Sequence, residues 1–141
     1  MDDTTNGRTT VQLLHSWVER FNRDDRAGFG ALLASDVEFE QVSADVIERT
    51  AEGVLASMWG WRALFTKVRG EVLLAFADAD GEHGFMAVIW SGTTRAGVHQ
   101  PGGLSIRFPA WFIIIVRDGR ITRAYDFYDR LTYQQQMGRS G

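Results

Sequence analysis

The chain of 141 residues contains no cysteine. That excludes disulfides, thiol catalysis and thiolate metal sites, and it leaves the redox compartment open. Long hydrophobic runs are missing as well. The longest, AWFIIIV from Ala110 to Val116, is far too short to cross a bilayer. No basic stripe appears: the net charge is −3 and the arginines are mixed among acids, so no nucleic acid partner is expected. The opening MDDTTNGRTT is acidic and polar, without the basic-then-apolar order of a signal peptide. Internal repeats, linkers and low-complexity tracts are absent too. Together these absences point to a soluble, cytoplasmic protein with no membrane partner.

What the chain does have is aromatic bulk. Apolar residues make up 45% of it, with five Trp and nine Phe, enough for a substantial core. Its length fits one domain, read here as residues 9–141 behind a disordered start of residues 1–8. A helix is expected from Thr9 or Thr10, with Val11, Leu14, His15, Val18 and Phe21 on one face. Asp24 or Asp25 would cap a second helix with Phe29, Leu32 and Leu33 as its apolar face, weakened by Gly28 and Gly30. DVEFEQV alternates as a strand, with Phe39 and Gln41 on one face and Glu38 and Glu40 on the other. VSADVIERT fits neither pattern. AEGVLASMWGWRALFTKV reads as a third helix, with Leu55, Met58, Trp59 and Leu64 or Phe65 inward.

From Gly70 onward strands dominate. EVLLAFADA, the turn DGEHG and FMAVIWSGTT are followed by a Gly-rich loop, by LSIRFPAWFIIIV, and by ITRAYDFYD after an Asp118-Gly119 hairpin turn. The order predicts an α+β fold: a cone-shaped, curved antiparallel sheet with three N-terminal helices enclosing an apolar pocket. AWFIIIV does not alternate, so both its faces are expected to be buried. With Ala110, Phe112, Ile114 and Val116 turned inward, Trp111, Ile113 and Ile115 point outward, toward a second copy in a homodimer formed through the outer sheet face.

The segment RAYDFYDRL, Arg123 to Leu131, mixes strand-forming aromatics with Asp126 and Asp129. Aspartate is depleted in strands, and a buried carboxylate is costly unless paired. Alternation puts Thr122, Ala124, Asp126 and Tyr128 on one face and Ile121, Arg123, Tyr125, Phe127 and Asp129 on the other. Periodicity alone does not select the face that looks into the pocket. Asp129 lies near the strand end, where pairing with an arginine or capping the terminal turn is expected. His15 is either a core histidine or a pocket-wall residue. His83 reads as a turn residue, and His99 lies in the Gly-rich loop. No His/Asp/Glu cluster has ligand spacing, so neither a metal nor another cofactor is expected. Trp17, Phe39, Trp59, Trp90, Phe112 and Tyr128 each read singly as core filling. As a set they suggest a cavity for a flat or greasy ligand, a small hydrophobic or aromatic substrate.

The strings LLASDVEF, IWSGTTRAG and VRDGRITRAYDFYDRLTYQQQMG resemble the SnoaL-like polyketide cyclases. These belong to the nuclear transport factor 2-like (cystatin-like) superfamily, with ketosteroid isomerases and limonene-epoxide hydrolases. The resemblance runs from about Val11 to Gly138. It implies that Asp126 is the catalytic pocket acid/base. It also implies where this chain departs from its cousins. The Arg-x-Asp pair of the epoxide hydrolases is replaced by Val88 and Trp90, and their Tyr and Asn by Phe39 and Gln41. The steroid isomerase base falls near Gln41 and its oxyanion-hole Tyr near Trp17. The function implied is a cofactor-independent cyclase or isomerase of an apolar polyketide or terpenoid intermediate in secondary metabolism. Epoxide opening and a non-catalytic binding or scaffold role on the same cone are the alternatives.

Overall fold

A computed structural model describes residues 3–98 and 102–138. Helix α1 spans Asp3–Asn22, so the backbone of residues 3–8 is helical where a disordered start was expected. Its buried stripe is Leu13, Leu14, Trp17, Val18 and Phe21. The stripe is rotated from the expected one because Leu13 and Trp17 offer more apolar area than Val11 and His15, and His15 is left exposed. The second helix, α2, is a single short stretch at Arg26–Gly30. Asp25 caps it by accepting the Gly28 N–H at 2.8 Å, and Phe29 is its buried residue. Leu33 belongs not to this helix but to strand β1, Leu33–Gln41.

The ambiguous VSADVIERT becomes a 3-10 turn, Val42–Ala44, and an edge strand β2, Val46–Glu48, paired with β1. Thr50 then caps α3, Ala51–Arg62, through the Gly53 N–H. The helix stops short of the expected end. Strand β3 begins already at Phe65 and runs to Ala77, since Thr66 and Val68 favour extended backbone. Strands β4, His83–Thr94, β5, Ser105–Arg117, and β6, Arg120–Tyr128, complete a curved, unclosed six-stranded sheet in the order β2-β1-β6-β5-β4-β3. Asp118 and Gly119 both have positive φ in the β5–β6 turn, the backbone that suits a two-residue hairpin. One pairing departs from the expected antiparallel meander: β1 joins β6 in parallel. A last helix, α4, Arg130–Gln136, folds back beside β5 and is capped by Asp129.

The helices cover one face of the sheet. Gly70 lets α1 lie close, because a Cβ there would come within 2.6 Å of Trp90 and 2.9 Å of Val18. Asn22 brackets the same glycine, donating to its carbonyl at 2.9 Å and accepting its N–H at 2.8 Å. On β5, Phe112 and Ile114 are buried but Trp111 and Ile113 are exposed, so this strand has one covered face in the single chain, not two. Among the described residues no helix is long and apolar enough to cross a membrane.

Candidate functional site

The inner-face register sets the site. Gln41 on β1 stands opposite Asp126 on β6, Asp126 opposite Phe112 on β5, and Phe112 opposite Met86 on β4. Tyr128 follows Asp126 on the same face and pairs with Ala110. At this end of the sheet, α3 supplies Ser57, Met58 and Trp61, and α4 supplies Tyr133. With Trp90 and Phe108 they bound a cavity of about 220 Å³.

Among the described residues Asp126 is its only charged side chain. Oδ1 is shielded from solvent and has no hydrogen-bond partner. The residue as a whole remains only partly buried because it faces the cavity. Burial pushes its carboxyl from the usual range up to about 7. No opposite charge faces it to hold it down. Burial, then the Asp126 charge, hold the Tyr128 phenol above its ordinary range as well. The neutral polar groups are arranged in pairs. Gln41 donates from Nε2 to Ser57 Oγ at 2.9 Å, which leaves the Gln41 carbonyl and the Ser57 hydroxyl proton available. Trp61 donates from Nε1 to Tyr133 Oη at 3.0 Å, tying α4 to α3 across the cavity. Such an arrangement can take a proton from a bound molecule, return it, and hydrogen-bond a developing oxyanion.

Of the expected wall residues, Gln41, Trp90, Phe112 and Tyr128 line the cavity with Asp126. Five do not. His15 is exposed on α1. Trp17 lies a layer below, with rings of Phe29, Phe39 and Phe112 within 4.6–5.7 Å, and its indole N–H has no partner. Phe39 and Val88 are wholly buried core. Trp59 turns toward the start of α2, donating to Asp24 Oδ1 at 2.8 Å. Trp61 takes the place expected of Trp59, two positions on along α3. Met58 and Ala110, expected to face inward but not named as wall residues, also line it, and Ser57, Trp61, Phe108 and Tyr133 join them unmarked by the sequence. The alternation of β5, carried two residues back from Ala110, would have found Phe108. Nothing local announces Tyr133.

Asp129 caps α4 as expected, accepting from the Thr132 N–H at 3.0 Å and from its hydroxyl at 2.6 Å, which holds its carboxyl below the usual range. His83 opens β4 and bonds Asp78 through Nδ1 at 2.6 Å. The hairpin brings Asp78, Asp80 and His83 together on the surface with ligand atoms within 4.8 Å of one another, a grouping that spacing alone did not suggest. His99 lies outside the described residues.

The SnoaL-like domain family matches residues 14–124. No curated protein matches the chain. Among solved structures, a candidate polyketide cyclase of Xanthomonas campestris pv. campestris is 20% identical with a TM-score of 0.81, covering 94% of this chain and 98% of its own. A protein of ketosteroid isomerase-like fold from Catenulispora acidiphila, solved in complex with trimethylamine, is 16% identical with a TM-score of 0.77, covering 91% and 93%. A limonene-epoxide-hydrolase-like (LEH-like) epoxide hydrolase of M. tuberculosis is 16% identical with a TM-score of 0.75, covering 93% and 90%. At these identities the likeness is one of fold.

Proposed function

The chain belongs to the SnoaL-like domain family, and from that premise we propose that it is a cofactor-independent acid/base catalyst of a small apolar substrate, with Asp126 moving one proton. The observation that carries this reading is a lone carboxyl in an aromatic cavity with one oxygen unpartnered. With its carboxyl near 7, both protonation states are populated at neutral pH. The carboxylate removes a proton from carbon next to a carbonyl. The enolate carbon closes onto an electrophilic carbonyl, and the new alkoxide takes the proton back. Tyr128 and Ser57, which line the same cavity, would donate to the enolate oxygen.

The cavity volume bears on substrate size. About 220 Å³ lies below the roughly 300 Å³ at which pockets begin to hold drug-sized ligands. The hollow therefore takes one ring or a short chain of a polyketide- or terpenoid-like molecule. The trimethylamine bound to the Catenulispora protein is consistent with small ligands in this fold. Epoxide opening by an internal nucleophile is a second reading, favoured by the protonated half of Asp126, which can donate to an epoxide oxygen. The open cavity itself supports catalysis over a filled, non-catalytic scaffold.

Asp126→Asn is the test. The amide is nearly isosteric and cannot accept the proton, so turnover of a true substrate should fall by about a hundredfold to ten-thousandfold. Loss below about threefold would refute the assignment.

The reading includes a homodimer. On the outer face Phe76, Phe85, Ile113 and Tyr125 form one cross-strand row, and Leu74, Ala87, Trp111 and Phe127 the next. Phe76, Leu74, Trp111 and Ile113 are exposed in the single chain, an apolar band that a second copy would cover.

A further inference from the structure

Among the described residues the cavity lining contains no Lys, Arg or His, one carboxyl, and six aromatic residues: Trp61, Trp90, Phe108, Phe112, Tyr128 and Tyr133. Four pairs of these rings meet at steep angles and the others are tilted, with none stacked on another. Trp61 meets Trp90 at 77° and Phe108 at 83°, Trp90 meets Phe112 at 74°, and Tyr128 meets Tyr133 at 90°. Rings so inclined wall a space from several sides. The face of each carries negative potential. An anionic ligand would meet this aromatic lining and Asp126 with no countercharge among the described residues. A neutral ligand with no hydrogen-bond donor would leave the shielded Oδ1 acceptor unsatisfied, and a neutral donor would leave its charge uncompensated, whereas a cation offsets the charge.

We propose that the cavity recognises a small alkylated ammonium group, alone or as the head of its substrate, with the aromatic rings as its cage and Asp126 as its counter-ion. The proposal deepens the reading of this cavity as the substrate site and rests on it. The cation binds the ionised form of Asp126, so affinity rises with pH through about 7 and binding releases a proton. The other titratable side chains facing Asp126 are Tyr128 on β6 and Tyr133 on α4, while β1, β4, β5 and α3 bring no charged group to the lining. A bare ammonium is strongly hydrated and is disfavoured here. An alkylated one gives up water cheaply and fits an apolar cage of this volume.

Titration calorimetry with choline and with its neutral isostere 3,3-dimethylbutan-1-ol separates the possibilities, because the two share a shape and differ in charge. Choline should bind at least about tenfold more tightly at pH 8, and the gap should close toward pH 5. In Asp126→Asn the alcohol should bind as before and choline should lose about tenfold. Phe108→Leu, which stays apolar and removes a ring, should weaken choline several-fold more than it weakens the alcohol. Equal or tighter binding of the alcohol at pH 8 overturns the cation proposal and leaves the acid/base reading standing. No binding of either overturns the cation proposal. If a carboxyl NMR titration also puts Asp126 near 4, the acid/base reading falls with it.

Discussion

Gln41 stands beside Asp126 across the parallel β1–β6 ladder, and its amide N–H is spent on Ser57, not on the carboxyl. The one polar neighbour in register with the acid therefore leaves it unsupported. Burial keeps the carboxyl near 7, with no bond from Gln41 to offset it.

The pH dependence of stability follows from it. An unfolded aspartate loses its proton near about 4, whereas folded Asp126 holds it to about 7. Between these values the folded state binds more protons than the unfolded one, so this group's contribution falls as pH rises through the window and is constant above it. Asp126→Asn removes the penalty. The variant should match the wild type at about pH 4 and be more stable at about pH 8, by on the order of a few kcal/mol. Urea unfolding at the two pH values measures this. A wild-type advantage at pH 8 would contradict the buried, unpaired carboxyl.

Asp129 lies three residues from Asp126 in sequence and should behave in the opposite way. Its carboxyl is held low by Thr132, so its support of α4 is present above its unfolded pKa and is lost as pH falls through the folded value. Asp129→Ala should lower the melting temperature by a few degrees at pH 7 and loosen Tyr133 against Trp61. Trp fluorescence would report that loosening. An unchanged melting temperature would remove the capping role.

Gly70→Ala tests the seat of α1. The added Cβ has Trp90 and Val18 within 3 Å and the Asn22 bracket over its backbone, so the neighbours have to move. Overpacking of this kind costs about 1–3 kcal/mol. Because Trp90 also lines the cavity, ligand affinity should change along with the urea midpoint. A neutral substitution would mean that α1 sits less closely than described.

The outer apolar band predicts a mass of twice the 15.9 kDa chain in light scattering at micromolar concentration. Replacing both Trp111 and Ile113 by Glu should give a folded monomer, since both side chains point away from the core. A monomeric wild type would refute the dimer.

Much of this protein was already legible in the sequence, and the reason is local. Asp25 and Asp129 cap helices because a short acceptor side chain reaches the N–H groups of the next turn. Asp118-Gly119 turns because both residues tolerate positive φ. Period-two alternation placed Asp126, Gln41, Phe112 and Tyr128 on faces that the fold brings to one cavity. Tertiary structure decided what local signals leave degenerate. A helix stripe can rotate by one position, and total buried area chose Leu13 and Trp17 over Val11 and His15. Trp59 and Trp61 are equivalent as sequence, and the approach of α4 against α3 separated them, through the bond from Trp61 to Tyr133. The parallel pairing of β1 with β6 joins residues about 85 positions apart, as Gln41 and Asp126 are. No local propensity encodes that contact; it forms because β6 offers an unpaired edge of backbone N–H and C=O groups, and β1 satisfies them whatever its distance along the chain.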